Sequence, residues 1–298
     1  MIPYARLRPG PGFHAGRIGL YYAQRLAVQP RLRRAVARAI ARLIGLRHPD
    51  DWGPLAPPDT AIAALLRHEG IAPLPGLVPP EKAERIAQCL RDQPMLLPDG
   101  RPAPTGTAAA RTAMAFYPLK TLVNSQDVLG LVTAAPVLRL AAAYLGCTPT
   151  LSGLSAYWSY PVAAPALYTQ RFHRDLDDWR FVKLFVYLTD VDHGTGPHVY
   201  VRQSHLRAAR LRTRPYSRQA VDRYGRDKVL TVLGLRGTAF MADTYGIHLG
   251  TVPTQRPRLL LQAQYSLLPV YAFDYTPVVA ATPTDLDSYV TRLLVQPR

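Results

Sequence analysis

The 298-residue sequence predicts a mainly β fold with flanking helices, of the α+β type: a sandwich or barrel buttressed by N-terminal helices. Three observations carry that expectation. Helical patterns dominate up to about residue 146. From about residue 150, short runs rich in aromatic and β-branched residues follow one another between turn residues. Strands and helices do not alternate and no glycine-rich phosphate loop occurs, which argues against a Rossmann or P-loop enzyme.

Taken in order, residues 31–46 form an amphipathic helix. Leu32, Val36, Ile40, Leu43 and Ile44 share one side, while Arg34, Arg38 and Arg42 repeat every four residues on another. A Pro- and Gly-rich break follows at 48–58. Asp59 or Thr60 caps a helix that Gly70 ends, and GIAPLPGLVPP reads as a short strand and a turn. Pro80 suits a first helical turn, after which EKAERIAQCLRDQ is amphipathic. Residues 95–118 read as a long loop. Helices return at 125–132 and 136–145, the latter ended by Gly146. The strands are SGLSAYWSY, RFVKLFVYLTDV, HVYVR, KVLTVLG, GTAFMAD and RLLLQAQYSLL.

Charge is unevenly spread. Thirty-six Lys+Arg against 20 Asp+Glu give +16, and 32 of these cations are Arg. Residues 1–50 hold ten Arg and one acid, for +9, and residues 201–236 carry +8. The rest is nearly neutral. Residues 1–50 therefore form a basic helical arm, either a solvated face or a surface for an anionic membrane or acidic partner. The basic insertion at about 206–228 is either a solvated loop or the lining of a phosphate-binding cleft. No aromatic and basic platform points to nucleic acid. No apolar run approaches the ~18 residues of a transmembrane helix, and no secretory signal is evident. With only Cys89 and Cys147, no disulfide framework is implied. A cytoplasmic setting is expected.

The chemistry concentrates at Phe172-His173-Arg174-Asp175. On extended chain an imidazole and a carboxylate two residues apart point to the same side and can grip one metal ion. His248, which follows the strand GTAFMAD, offers a third ligand. Two His and one carboxylate with open positions suit non-haem Fe(II) and its O2 chemistry. Arg258 opens the next strand, where a guanidinium can clamp a dicarboxylate by two parallel hydrogen bonds. Arg256 is an alternative for that role. No Cys-x-x-Cys, Gly-x-Ser-x-Gly or His-Glu-x-x-His occurs.

In four stretches the sequence resembles the phytanoyl-CoA dioxygenase family of Fe(II)- and 2-oxoglutarate-dependent oxygenases. These are HEGIAPLPGLVPPEKAERI (68–86), FHRDLDDWRFVKLFVYLTDVDHGTGPHVYVRQSH (172–205), GTAFMADTYGIH (237–248) and RPRLLLQ (256–262). The resemblance implies a double-stranded β-helix, a jelly-roll or cupin-like barrel with N-terminal helices packed outside. It divides the chain into the arm at 1–50 and one oxygenase domain at 51–298, with a helical buttress at about 59–146 and a jelly-roll core at about 150–270. It makes His173, Asp175 and His248 the iron ligands, 2-oxoglutarate and O2 the co-substrates, and Arg258 the holder of the distal carboxylate. The implied substrate is a small or carrier-linked metabolite, with an anionic group as one candidate handle, hydroxylated or otherwise oxidised at an unactivated carbon. Relatives that halogenate lack the acidic ligand, and Asp175 is present here.

Two features depart from the family or stay open. Where the family has Pro-Gly-Ser-His, this chain reads Arg202-Gln203-Ser204-His205, which alters a turn and not a ligand. Lys183 and Tyr187 lie on the strand after the motif and either reach 2-oxoglutarate inside the barrel or face outward. On the preceding strand Ser155, Tyr157 and Ser159 share one face, with Trp158 and Tyr160 on the other. His193 and His198 read as ordinary polar positions, and His205 as a candidate for the site edge. The alternative to an oxygenase is a catalytically silent jelly roll that binds an anionic ligand or partner through its basic segments.

Overall fold

Prolines open four helices of the first half, and glycines close two of them. The computed structural model describes residues 2–5, 14–26, 28–49, 52–103, 112–162, 167–209, 214–281 and 286–296. Its helices are α1 (Ala15–Leu26), α2 (Pro30–Arg47), α3 (Pro57–Glu69), α4 (Pro80–Arg91), α5 (Leu119–Val123), α6 (Gln126–Val132) and α7 (Ala135–Leu145). Proline occupies the first turn of α2, α3, α4 and α7, where its missing N–H costs nothing. Gly70 and Gly146 end α3 and α7 in the left-handed region, at φ 82 and 85. The cap of α3 is Ala56 and not Asp59 or Thr60, because Pro57 starts the helix earlier and leaves Asp59 in its first turn.

Helix α2 keeps its predicted span but turns a different face inward. Arg33, Ala37, Ala41 and Ile44 are buried, while Leu32 and Leu43 are 55% and 58% exposed. Small side chains let the helix approach the body closely, and the Arg33 guanidinium finds carbonyl partners there, donating to Asp178 O and Gln24 O.

The strands are β1 (Ile71–Pro73), β2 (Met114–Phe116), β3 (Thr150–Ser159), β4 (Phe181–Tyr187), β5 (His198–Val201), β6 (Val229–Val232), β7 (Ala239–Ala242), β8 (His248–Gly250), β9 (Arg258–Ser266), β10 (Val278–Val279) and β11 (Val295–Gln296). The larger sheet runs β1-β7-β4-β9-β3-β2 and the smaller one β6-β5-β8, extended by a bridge between His173 and His248. The antiparallel pairs are nested: β3 with β9, His173 with β8, β4 with β7, and β5 with β6. This is one long hairpin whose arms alternate between two sheets, the construction of a jelly roll. Its tip is the basic insertion, which carries α8 (Arg218–Asp222) and buries Val221 against Phe172, Val201 and Ile247. Arg210 and Arg212 lie outside the described residues.

Strand β4 is buried along all seven residues. Val182, Leu184 and Val186 join the large cluster under the helices, whereas Phe185 and Tyr187 pack inside the barrel with Tyr200, Phe240 and Leu260. Lys183 shares the inner face by strand alternation. Strand β2, inside the stretch read as a loop, and helices α1 and α5 add to the elements expected. The segment Gln126–Leu145 is apolar enough, over 20 residues, to cross a membrane by composition. In the fold it is the packed pair α6 and α7, largely buried against the sheet.

Candidate metal centre

Residues 173–175 run alongside 244–248. His173 donates its backbone N–H to His248 O at 2.9 Å, His248 returns the bond at 3.0 Å, and Asp175 N–H meets Thr244 O at 2.9 Å. Alternation then sorts the side chains. His173, Asp175 and Asp177 face one way; Phe172 and Leu176 enter apolar clusters on the other. Arg174 turns outward with them and donates to Tyr245 O at 2.7 Å and Ser204 O at 2.8 Å.

The donor atoms of His173, Asp175 and His248 lie within 4.8 Å of one another. The Nε2 atoms of His173 and His248 are each 3.6 Å from an oxygen of Asp175. Each imidazole donates Nδ1–H to the carbonyl two residues upstream, His173 to Arg171 O at 2.8 Å and His248 to Gly246 O at 2.9 Å. Those bonds fix the tautomer and leave each Nε2 lone pair aimed at Asp175. Burial, reinforced by His173, pushes His248 down to about 3, so its ring is neutral near pH 7. Two imidazoles and a carboxylate on one side of a point form the donor set of a first-row divalent ion with open positions.

Lys183 reaches the same point from the inner face of β4. Its Nζ lies 2.8 Å from Asp175 Oδ2 and 3.4 Å from Asp177 Oδ2. Burial pushes the Asp175 carboxyl up, but Lys183 and the two imidazoles outweigh it and hold the group well below the usual carboxylate range. Burial would lower Lys183, and the two carboxylates raise it instead. The lysine that alternation places inside the barrel is thus balanced by acids.

These residues line a cavity of about 100 Å³. Arg258, 2% exposed, enters it beside Gly250, where an added Cβ would stand 3.2 Å from the guanidinium. Arg258 donates to Gly196 O, and its Nε is buried without a partner. Arg256 is exposed and pairs with Asp192 at 2.5 Å, outside the cavity. On β3, Tyr157 and Ser159 face the cavity, while Trp158 turns away to donate to Tyr117 Oη at 3.0 Å.

Tyr187 is not brought to the cavity lining. Its hydroxyl donates to Val232 O at 2.9 Å and accepts from His198 N–H at 3.0 Å, tying β4 to β5 and β6. His205 also lies elsewhere, donating Nε2–H to Arg67 O at 3.1 Å. Conversely His198, read as an ordinary position, lines the cavity. Its ring stacks on His248 at 5.5 Å, and its Nε2 is buried without a partner. Burial and the neighbouring His248 hold His198 well below its ordinary value. The signal available for it was its inward parity on the strand HVYV.

No family model and no curated protein matches the chain. Solved structures do match it. The apo form of EctD from S. alaskensis aligns with TM-score 0.51 and 15% identity, over 83% of this chain and 89% of its own. The non-haem α-ketoglutarate-dependent carbocyclase SnoK from nogalamycin biosynthesis aligns with TM-score 0.50 and 16% identity, over 73% of this chain and 86% of its own. Together with the nested strand pairs, these likenesses establish the fold as the jelly-roll, cupin-like barrel flanked by helices.

Proposed function

We propose that this chain is a non-haem Fe(II)- and 2-oxoglutarate-dependent oxygenase, akin to the phytanoyl-CoA dioxygenase family, that hydroxylates a small or carrier-linked metabolite. One observation carries the reading: two imidazoles locked by Nδ1–H bonds present Nε2 to one carboxylate in a cavity that a buried arginine also lines. SnoK, similar in fold, is α-ketoglutarate-dependent by its description.

His173, Asp175 and His248 would hold the iron, which with 2-oxoglutarate and O2 supplies an oxidant able to break an unactivated C–H bond. Arg258, with an unpartnered buried Nε, receives the distal carboxylate of 2-oxoglutarate by charge-assisted hydrogen bonds. Lys183 orients Asp175 and offsets its charge. Phe185 and Leu260 keep the inner wall apolar and exclude water from it. Asp175 fills the position that would otherwise admit a halide, so hydroxylation is favoured over halogenation.

Anaerobic addition of Fe(II) and 2-oxoglutarate to the purified protein is expected to give a weak visible charge-transfer band, lost in Asp175→Ala and in His248→Ala. Coupled succinate formation with candidate substrates then identifies the substrate. A wild-type protein that retains no iron and shows no band overturns the reading in favour of a silent binding barrel.

A further inference from the structure

A second cavity, of about 240 Å³, shares no lining residue with the metal centre. Four guanidiniums border it: Arg33 and Arg34 from α2, Arg67 from the last turn of α3, and Arg180 just ahead of β4. Asp243 is the one acid in its lining. Both carboxylate oxygens of Asp243 are already engaged, one by the Tyr144 hydroxyl and the other by Tyr245 N–H at 2.9 Å.

Three of the four arginines are held in place without being neutralised. Arg33, 6% exposed, donates to Asp178 O and lies over the Tyr245 ring at 3.9 Å. Arg67 donates to Ala143 O, and Arg180 to Leu145 O at 3.1 Å. These acceptors are neutral carbonyls, and among the described residues none of the four arginines forms an ion pair with a carboxylate. The chain has thus built a concavity with a formal excess of three positive charges, three of its four guanidiniums anchored by backbone carbonyls. Its volume exceeds what a single phosphate needs.

We propose that this cavity is a binding site for a phosphorylated small molecule, its phosphate held among Arg33, Arg34, Arg67 and Arg180. Guanidinium forks match phosphate oxygens in pairs, and an excess of three charges suits a multiply charged phosphate better than a single carboxylate. The site backs directly onto the metal centre. Asp243 and Tyr245 form its wall, and the carbonyl of Thr244 between them accepts the N–H of Asp175. The proposal does not depend on the oxygenase reading.

Pyrophosphate titrated into the full-length protein, without added iron or 2-oxoglutarate, tests it by calorimetry and by tryptophan fluorescence. Trp179 lines the cavity and serves as the reporter. Saturable binding near a 1:1 ratio is expected, with a fluorescence change that Trp179→Phe removes. The double variant Arg34→Ala/Arg67→Ala, at two exposed positions that leave the core intact, is expected to weaken binding by about tenfold or more. Arg38→Ala/Arg42→Ala, on α2 outside the cavity, is expected to change it by less than about twofold. Equal losses in both double variants mean general attraction to a basic surface and overturn the site. So does undiminished binding in Arg34→Ala/Arg67→Ala, or a loss in Arg258→Ala, which moves the anion to the other cavity. Absence of saturable binding overturns it outright.

Discussion

A carbonyl two residues upstream decides what each imidazole of the candidate metal centre can do. By accepting Nδ1–H it reserves Nε2 for a ligand. The same economy of partners separates the two arginines near 2-oxoglutarate's expected place. Arg258→Ala is expected to raise the 2-oxoglutarate KM by about tenfold or more, since a charged hydrogen bond is worth roughly 1.5–3 kcal/mol. Arg256→Ala, which breaks only an exposed pair with Asp192, is expected to leave that KM within about twofold. Steady-state kinetics in 2-oxoglutarate check both. Asp178 illustrates a different residue-scale effect. Burial pushes its carboxyl up to about 7, against hydrogen bonds from Leu268 N–H, Trp179 N–H and Gln24. Its folded value lies above its unfolded one, so the folded state binds the proton more tightly. Its contribution to stability is therefore full at pH below about 4 and declines as pH rises toward 7. Denaturant midpoints between pH 4 and 8 are expected to slope less steeply in Asp178→Asn than in the wild type.

At the scale of elements, α2 shows how far a sequence pattern reaches. Its span follows from periodicity and Pro30, but its buried face does not, because the amphipathic reading ranked Leu32 and Leu43 above Ala37 and Ala41. Closeness of approach selected the alanines, and that is a property of the partner surface. Ala37→Leu is accordingly expected to destabilise by about 1–3 kcal/mol through overpacking, while Leu43→Ala stays within about 0.5 kcal/mol; chemical denaturation measures both. The long strands β3, β4 and β9 were legible from aromatic and β-branched runs. The three-residue strands β2 and β8 were not, since so short a run has no readable alternation. At the site, His173, Asp175 and His248 were legible from spacing and resemblance. Strand parity leaves Lys183 an inner or an outer face, and its pairing with Asp175 and Asp177 depends on a neighbouring segment that parity does not specify. His198 lines the cavity while Tyr187 ties strands together, and only the fold reveals which inner positions do which.

For the whole molecule, the +16 charge resolves into surfaces with different surroundings. Arg34 and Arg33 are neighbours on α2, one exposed and one buried, yet both border the second cavity. The nested hairpin has a further consequence, one of polymer physics. His173 and His248 sit opposite each other on one rung, with about 75 residues of chain between them. Any ion gripped by both rings acts as a clasp across that length of chain, much as a disulfide closes a loop, and it grips the native state alone. Anaerobic Fe(II) at a thousandfold excess over its Kd is expected to add about 4 kcal/mol to stability. That gain should register as a higher melting midpoint and vanish in His173→Ala. The rung that would hold the metal is then also the buckle of the roll, so loosening either end of that loop would release the ion before the barrel itself gave way.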